Sequence, residues 1–430
     1  MKTIIQQLLF NLSRAILRKY KPDIIGITGS VGKTTAKEAI AAILKTNYLV
    51  RAASKNYNNE IGLPLVILGS TSAGRSITKW IALLWKGTGL LFHYAKNYPW
   101  ILVLEMGADK PGDITYLMDI AMPKVSGITA IAPAPLEGFG TLEQLIKEKG
   151  TLIRKLVDNQ SWAILNADDK NVMSLVDTTK ARVMTFGTSP GADMKIEHVH
   201  QHNSFDPDDK QLIGMVAKLS YKGQDVDVDL PNIVGIQHVY GIAAAACVGV
   251  VYDMSLHEIA SGLRGYQSPA GRMNVLPGIK HTLLIDDTYN SSPLAVKVAL
   301  ETLAGFQVVS GSRKIAVLGD MLELGSFTEQ AHREAGELVA ALGIDMLFTI
   351  GSSGRMLAES AVATGVDTAS VLCFDTSDDA RKTVQNLMKK GDVLLIKGSQ
   401  GMRMERIVKE VMAEPEKARE LLVRQTSEWT

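Results

Sequence analysis

The stretch IIGITGSVGKTT (Ile24–Thr35) decides how the N-terminal half of this 430-residue chain folds. Its apolar start is typical of a buried strand, Gly29 and Gly32 allow a tight turn, and the residues that follow place alanine and isoleucine on one face of a helix. Backbone N–H groups of such a turn, together with the positive end of the helix dipole, bind phosphate oxygens. The pattern therefore predicts a phosphate loop formed by Gly29, Ser30, Val31, Gly32, Lys33, Thr34 and Thr35.

The lysine and the threonine of this loop suit a nucleoside triphosphate. Lys33 is placed to reach the β- and γ-phosphates, and the Thr34 hydroxyl is placed to ligate Mg²⁺. Ile27 stands where the longer G-x-x-x-x-G-K-T motif has its first glycine, so a chance glycine-rich turn is the alternative. A strand before the GKTT core and a helix after it favour the triphosphate site.

Glu105 and Lys149 are candidate metal ligands. Glu105 ends the apolar run WILVLEM (Trp100–Met106), and a parallel strand delivers its last residues to the ligand-binding edge of the sheet. Its carboxylate suits Mg²⁺, whereas a strand-end glutamate facing water is the alternative. Lys149 lies in the apolar stripe of a helix that begins after Thr141. Its amine either carries CO₂ as a carbamate, and so becomes an oxygen ligand, or extends to water, and the periodicity does not decide between the two.

The composition excludes several classes of protein. Hydrophobic residues make up 46% and charged residues 21%, which is typical of a globular chain. Lys and Arg number 46 against 45 Asp and Glu, so no overall basic field is present to hold nucleic acid. Cys247 and Cys373 are too few for a disulfide framework and fit a reducing compartment. We therefore expect a cytoplasmic protein without a nucleic-acid partner.

Two apolar segments near the N-terminus need an explanation. Residues 1–22 have apolar positions broken by Gln and Arg, which predicts an amphipathic helix and not a signal peptide. Ile77–Phe92 is too short for a membrane span and contains Lys79 and Lys86. It either packs on its own domain, the commoner arrangement, or lies weakly on a membrane surface. We expect no transmembrane segment.

The strand and helix patterns predict an α/β fold in two large domains. Apolar runs alternate with helical patterns up to about Asp169, which indicates a mostly parallel sheet, and short alternating segments from about Ala181 to Leu230 indicate a small antiparallel part. A break at Ser268–Gly271 precedes a second, Rossmann-like α/β unit. We therefore expect an N-terminal helix over 1–22, a central ATP-binding domain over 23–268 and a C-terminal domain over 269–430.

Three histidines, His198, His200 and His202, alternate along one of the short segments. A strand would place them on one face, where they could ligate a metal ion. The acidic residues next to them and the lack of a second group of ligands favour an exposed strand.

The motifs above resemble those of the Mur ligases, the ATP-dependent amide ligases of peptidoglycan precursor synthesis. The similar stretches span nearly the whole chain: ITGSVGKTT, NNEIGLPL, LVLEMGADKPGDI, LEGFGTLEQLIKEKG, AILNADD, AGRM, IDDTYNSSP, VLGDMLELG and IKGSQGMRME. The last two are similar to the branch of the family whose amine is D-alanyl-D-alanine.

The resemblance implies that the phosphate loop binds ATP, with Thr34 on one Mg²⁺ and Glu105 on a second. Lys149 would be the carbamylated lysine and a ligand to the metal. The implied catalytic residues are Lys33, Lys149 and Arg272, and the implied nucleotide contacts of the C-terminal domain are Arg272, Asp287 and Asn290. The acceptor would be held at Asn58 and Asn59. The incoming amine would be placed near Gly319–Glu323 and by Lys397, Gly398 and Ser399.

The sequence departs from the family pattern in four places. Only about 22 residues precede the first strand, where the family has a separate domain that grips the UDP-sugar, so we expect that domain to be missing. Pro135 stands in place of a histidine that helps to bind the second metal ion. Two asparagines near adenine are absent from Gly235–Gly241, and Gln400 replaces an arginine.

The reaction implied by the resemblance has two steps. A substrate carboxylate attacks the γ-phosphate of ATP to give an acyl phosphate, and an amine then displaces phosphate to leave an amide. The expected partners are a small cell-wall precursor and an amino acid or dipeptide, and we expect a monomer. The alternatives are a ligase of the same class with a lipid-linked or other acceptor, and a catalytically impaired nucleotide-binding scaffold.

Overall fold

The computed structural model describes residues 2–53, 57–74, 76–132, 138–156, 159–209 and 213–425. These residues form two compact units. The first contains Met1–His198, Ala217–Val228 and Gln237–Gln267, and the second contains Val199–Val216, Asp229–Ile236 and Ser268–Thr430. Pro135, which stands in place of a histidine of the family pattern, lies outside the described residues.

The helices of the first unit are α1 (Lys2–Tyr20), α2 (Lys33–Leu44), α3 (Gly62–Leu68), α4 (Ile77–Phe92), α5 (Asp113–Ile120), α6 (Leu142–Arg154), α7 (Lys170–Met173), α8 (Gln237–Val251) and α9 (Leu256–Leu263). The helices of the second unit are α10 (Pro293–Ala304), α11 (Thr328–Ala341), α12 (Gly354–Ala363), α13 (Ser377–Leu387), α14 (Glu405–Val411) and α15 (Ala418–Leu421). Among the described residues, no helix is both long and apolar enough to cross a membrane.

The strands up to residue 231 are β1 (Asp23–Thr28), β2 (Val50–Ala52), β3 (Ile101–Glu105), β4 (Val125–Ile128), β5 (Trp162–Asn166), β6 (Arg182–Gly187), β7 (Met194–His202), β8 (Ser204–Phe205), β9 (Gly214–Tyr221) and β10 (Gln224–Pro231). The later strands are β11 (Asn274–Gly278), β12 (Thr282–Asp287), β13 (Gln307–Val308), β14 (Lys314–Gly319), β15 (Met346–Ile350), β16 (Val371–Phe374) and β17 (Val393–Lys397).

The first sheet has the strand order β10-β9-β7-β6-β5-β4-β1-β3-β2, and it is parallel from β2 through to β7. β9 and β10 are neighbours joined by only Lys222 and Gly223, both at positive φ, which is the geometry of a tight hairpin and supplies an antiparallel part. His198, His200 and His202 are all exposed on β7.

The second sheet has the order β11-β12-β17-β14-β15-β16 and is parallel except for the β11–β12 pair. Alternate residues of its strands enter two separate cores. Leu283 and Leu395 belong to one of them, whereas Leu284 and Leu394 belong to the other. Because successive side chains of a strand point to opposite faces, the sheet is covered on both sides. The predicted fold class, a mostly parallel α/β architecture with a small antiparallel part, is confirmed.

Candidate active site

The phosphate loop connects β1 to α2 in a backbone shape that needs glycine. Gly29 has φ +150°, and a Cβ atom there would lie 2.1 Å from Thr129 Oγ1. Gly32 has φ +86° and is the residue immediately before α2, whose first residue is Lys33. The N–H groups at this helix start have no carbonyl partner within the helix, so they are available to an anion.

The residues after β4 hold the phosphate loop in place. Thr129 Oγ1 donates to the carbonyl of Val31 at 2.5 Å, and the N–H of Ser30 donates to the carbonyl of Ala130 at 2.7 Å. Asn166, at the end of β5, donates through Nδ2 to the carbonyl of Thr129 at 2.8 Å. No local sequence pattern indicates this role of Thr129 or Asn166, because it depends on three adjacent parallel strands that end at one edge of the sheet.

Two lysines converge on the loop. Lys33 Nζ donates to the carbonyl oxygen of Gly29 at 2.7 Å, and Lys149 Nζ donates to the same oxygen at 3.3 Å. Lys149 is 5% exposed. Burial, with a further contribution from the charge of Lys33, lowers the pKa of Lys149 to about 7. The amine is therefore neutral in a large fraction of molecules at physiological pH, and only a neutral amine reacts with CO₂. Lys149 is therefore buried, as its place in the apolar stripe of the helix predicted. Its side chain does not extend to water, which was one of the two alternatives.

Glu105 is the last residue of β3 and pairs in register with Ile27 of β1, one residue before the strand ends. Its side chain is 1% exposed, and neither carboxylate oxygen has a hydrogen-bond partner among the described residues. Lys37 Nζ lies 3.4 Å from Glu105 Oε1. A buried carboxylate without hydrogen bonds is costly, and a divalent cation would supply the missing partner. The glutamate does not face water, which was the alternative interpretation.

Lys37 is a site residue that the sequence analysis missed. It is 1% exposed, donates to the carbonyl of Ala53 at 2.5 Å, and lies 3.0 Å from Glu38 Oε1. The sequence did contain a signal for this residue. Lys37 follows Lys33 by one helical turn and lies next to Ala36 on the buried side of α2.

Asn58 and Asn59 lie close to the end of β3. The carbonyl of Asn58 accepts from the N–H of Gly107 at 2.9 Å, two residues after Glu105. Asn59 Oδ1 accepts from the N–H groups of Ile61 and Gly62 at the start of α3. The structure therefore brings Asn58 near Glu105 and uses the side chain of Asn59 to begin a helix.

Gly241, where the family has an asparagine, has a packing role here. A Cβ atom at this position would lie 2.5 Å from Thr35 Cγ2, because α8 packs closely against α2. Helices approach this closely where a residue has no side chain.

In the second unit, Asp287 and Lys397 are register partners at the ends of β12 and β17. Lys397 Nζ lies 2.6 Å from Asp287 Oδ2 and donates to the carbonyl of Asn290 at 2.9 Å. Lys397 is 1% exposed, so this is a buried ion pair. Asp287, Asn290 and Lys397 are thus brought together as one group.

Gly398 and Ser399 continue directly from this group. A Cβ atom on Gly398 would lie 2.6 Å from Met404 Cγ and 3.1 Å from the Cα of Gly319, so the end of β17 comes close to the end of β14. Ser399 Oγ accepts from the N–H of Leu322 at 2.8 Å. Lys397–Ser399 and the loop after Gly319, two regions predicted for the incoming amine, are therefore neighbours.

Arg272 follows Gly271, which has φ +68°. Its guanidinium lies 4.1 Å from the centre of the Tyr289 ring, a cation–π contact. The N–H of Tyr289 also donates to the carbonyl of Gly271 at 3.0 Å. Arg272 is therefore held beside the segment that carries Asp287 and Asn290.

Comparison with known proteins identifies the family. The Mur ligase middle domain matches residues 27–77 and 87–249, and the glutamate ligase domain of the Mur ligases matches residues 271–400. The UDP-N-acetylmuramoyl-tripeptide–D-alanyl-D-alanine ligase of Bacillus subtilis is 29% identical over 407 residues, which are 94% of this chain and 79% of the relative.

Solved structures agree with the sequence comparison. The MurF ligase of Thermotoga maritima in complex with ADP has a TM-score of 0.75 and 27% identity, over 96% of this chain and 84% of that one. MurF of Acinetobacter baumannii has a TM-score of 0.75 and 25% identity, over 94% of this chain and 79% of that one. The two family domains cover most of the residues that form both units, and the chain belongs to the Mur ligase family.

Proposed function

We propose that this chain is an ATP-dependent, ADP-forming ligase that joins D-alanyl-D-alanine, or a similar amine, to the carboxylate of a cell-wall precursor. The observation that carries the proposal is the convergence of Lys33 and Lys149 on the carbonyl of Gly29, in a phosphate loop of a Mur ligase family member. Similarity to ligases that use this amine supports the choice of substrate.

The reaction proceeds through an acyl phosphate. A carboxylate oxygen of the acceptor attacks the γ-phosphorus of ATP, and the bond from that phosphorus to the β-phosphate oxygen breaks to release ADP. The amine then attacks the acyl carbon, the carbon–oxygen bond to phosphate breaks, and the amine loses a proton. Phosphoryl transfer of this kind needs positioning and neutralisation of negative charge more than covalent help. Lys33 and the N–H groups of the loop supply both.

The proposed metal ligands are Thr34, Glu105 and Lys149 as its carbamate. The buried carboxylate of Glu105, whose oxygens accept no hydrogen bond from the described residues, fits a divalent cation. Bound Mg²⁺ would neutralise phosphate charge during the transfer. Lys149 would contribute after its amine reacts with CO₂, and its lowered pKa favours the neutral form that this reaction needs.

The remaining site residues are proposed from the family resemblance. Asn58 and Asn59 would contact the acceptor, and Lys397, Gly398 and Ser399 would contact the amine. The assignment of Arg272, Asp287 and Asn290 to the nucleotide stays a prediction. We also propose a monomer in the cytoplasm, where ATP is available and where two free cysteines stay reduced.

The test is formation of ADP by the purified protein with ATP, Mg²⁺, UDP-N-acetylmuramoyl-tripeptide and D-alanyl-D-alanine. We expect ADP release that requires both the acceptor and the amine, and we expect Lys33→Ala to lower its rate by about 100-fold or more. Lys45→Ala, which changes an exposed lysine at the other end of α2, is the matched control. Release of ADP at the same rate by the parent and by Lys33→Ala would refute the proposal.

A further inference from the structure

Helix α4 presents an apolar surface that no described part of the chain covers. Its buried residues are Leu83 and Gly87. The helix packs on α1 at this point, and a Cβ atom on Gly87 would lie 2.5 Å from Leu12 Cδ2. On another side of the helix lie the residues that we name the α4 ridge: Ile77, Ile81, Trp85 and Phe92. Their exposed fractions are 60%, 61%, 80% and 80%.

The spacing shows that the ridge is one continuous surface. The first three residues follow one another by four positions, which places them on one face of the helix, and Phe92 comes two turns after Trp85. Large apolar side chains that are exposed singly are common on soluble proteins, whereas a contiguous row of them marks an interaction surface.

The charged residues of α4, and of α1 on which it packs, are all basic. Between Ile61 and Leu104 the sequence has no Asp or Glu, and it has none in the first 22 residues, which include α1. Lys79 and Lys86 on α4 are exposed. Lys19 of α1 donates to the carbonyls of Leu90 and Leu91 at the end of α4, at 2.9 and 2.8 Å. The ridge, with a tryptophan at its centre, thus belongs to a pair of packed helices that carry basic and no acidic side chains.

The family match covers the two ends of the ridge but not its middle. The Mur ligase middle domain matches residues 27–77 and resumes at 87, so it passes over 78–86, which contain Ile81 and Trp85. The phosphate loop, Glu105 and Lys149 all lie in the matched ranges. The middle of the ridge therefore lies outside the matched ranges, whereas Ile77 and Phe92 lie inside them.

We propose that the α4 ridge docks on the surface of an anionic lipid bilayer. Aromatic and aliphatic side chains on one face of a helix, in a helix pair whose charged residues are all basic, fit the boundary between acyl chains and anionic headgroups. Tryptophan prefers this boundary because its ring is apolar and its N–H is polar. Helix α4 lies parallel to the surface and does not insert across it, in agreement with its 16-residue length.

The test is flotation of the full-length protein with lipid vesicles. We expect the protein to float with vesicles that contain phosphatidylglycerol, to float less as salt is added, and to float poorly with phosphatidylcholine alone. The double variant Ile81→Gln and Trp85→Gln should lower the partition coefficient by about tenfold or more. Both side chains are exposed, so the variant should keep the thermal unfolding profile of the parent.

The control is Phe327→Gln, which removes an apolar side chain that is 52% exposed in the second unit and should leave flotation unchanged. Equal flotation of the ridge variant and the parent would overturn the proposal, as would failure of the parent to float with anionic vesicles. Light scattering in the absence of lipid should show a monomer. A dimer that the ridge variant dissociates would assign the ridge to a second copy of the chain and would also overturn the proposal.

This inference does not depend on the ligase reaction. The ridge variant should form ADP with soluble substrates at the parental rate, so a failed flotation test and a failed ligase test are distinguishable. Loss of both flotation and ADP formation, with altered thermal unfolding, would show a folding defect, and Trp85→Gln alone then provides the flotation test.

Discussion

Lys33 and Lys149 donate to one acceptor, the carbonyl oxygen of Gly29, at 2.7 and 3.3 Å. Two amines directed at the same point of a phosphate loop repel each other when both are charged, and the charge of Lys33 contributes to the lowered pKa of Lys149. An anion at the loop, or conversion of Lys149 to a carbamate, would relieve this repulsion. We therefore expect nucleotide binding and the chemical state of Lys149 to be coupled through this pair.

The first prediction is that Lys149→Met stabilises the protein at neutral pH. The folded-state pKa of Lys149, about 7, is below the usual value of 10.5, so the unfolded chain binds more protons between these two pH values. Parental stability should rise with pH over this range. Over this range, Lys149→Met should raise the free energy of unfolding most at pH 7, by an amount on the order of a few kcal/mol. The increase should shrink towards pH 10. Gly29 keeps its hydrogen bond from Lys33.

Urea unfolding in buffers free of CO₂ measures this difference. If the stabilisation of Lys149→Met relative to the parent grew with pH, the result would contradict a lowered pKa of Lys149.

The second prediction concerns Glu105→Gln. The amide has the shape of the carboxylate but not its charge, so affinity for a non-hydrolysable ATP analogue with Mg²⁺ should fall by about tenfold or more, whereas affinity for the analogue without Mg²⁺ should not fall. Lys37 keeps its contacts with Ala53 and Glu38, so the fold should be retained. Calorimetric titration at several Mg²⁺ concentrations provides the measurement. The control is Glu143→Gln, at an exposed position. Equal Mg²⁺ dependence in Glu105→Gln and the parent would remove Glu105 from the metal site.

The third prediction is that Asp286→Asn stabilises the protein above pH 7. Burial raises the pKa of Asp286 from 3.8 to about 7. The folded chain therefore binds more protons than the unfolded chain between these pH values, and parental stability falls as the pH rises through them. Asp286→Asn should raise the free energy of unfolding by an amount on the order of a few kcal/mol above pH 7. This increase should disappear below about pH 4.

Asparagine retains an oxygen for the hydrogen bonds that Asp286 accepts from the N–H and hydroxyl of Thr288. Chemical unfolding across this pH range, with Asp375→Asn at an exposed site as the control, provides the comparison. A gain that is independent of pH would show that the pKa of Asp286 is not raised.

The fourth prediction is that Lys397→Met destabilises the protein by about 3–5 kcal/mol, because it leaves Asp287 buried without its cation. Replacing both partners, with Lys397→Met and Asp287→Leu, should recover most of that loss. Lys382→Met, which removes an exposed ion pair with Glu410, should change stability by less than about 1 kcal/mol. The free energy of unfolding in urea checks all three variants. A double variant no more stable than Lys397→Met would contradict the ion-pair account.

Local patterns predicted much of the fold. The apolar run Trp100–Met106 contains β3 (Ile101–Glu105), and the apolar stripe around Lys149 correctly indicated a buried lysine. These features depend on neighbours in the chain, through the alternation of a strand or the period of a helix. The short edge strand Val50–Ala52 has no such pattern, because all three of its residues are only half-buried, and it was not predicted.

Contacts between residues that are distant in the sequence could not be predicted from local patterns. Lys37 and Glu105 lie on different elements, and only the folding of α2 against β3 brings them within 3.4 Å. The packing of Gly241 against Thr35 is a contact of this kind, and no local pattern indicated it. Which side of α4 is exposed also depended on a distant contact, that of Gly87 with Leu12.

The transfer of phosphate to a carboxylate is the central claim, and isotope transfer tests it most directly. The acceptor is prepared with a heavy isotope at both oxygens of its reacting carboxylate and incubated with the protein, ATP, Mg²⁺ and D-alanyl-D-alanine. Mass spectrometry of the released phosphate should find one labelled oxygen per phosphate, because a carboxylate oxygen leaves with the phosphate when the amide forms. Release of unlabelled phosphate along with ADP would show that water, and not the acceptor, receives the phosphoryl group, and it would contradict the account.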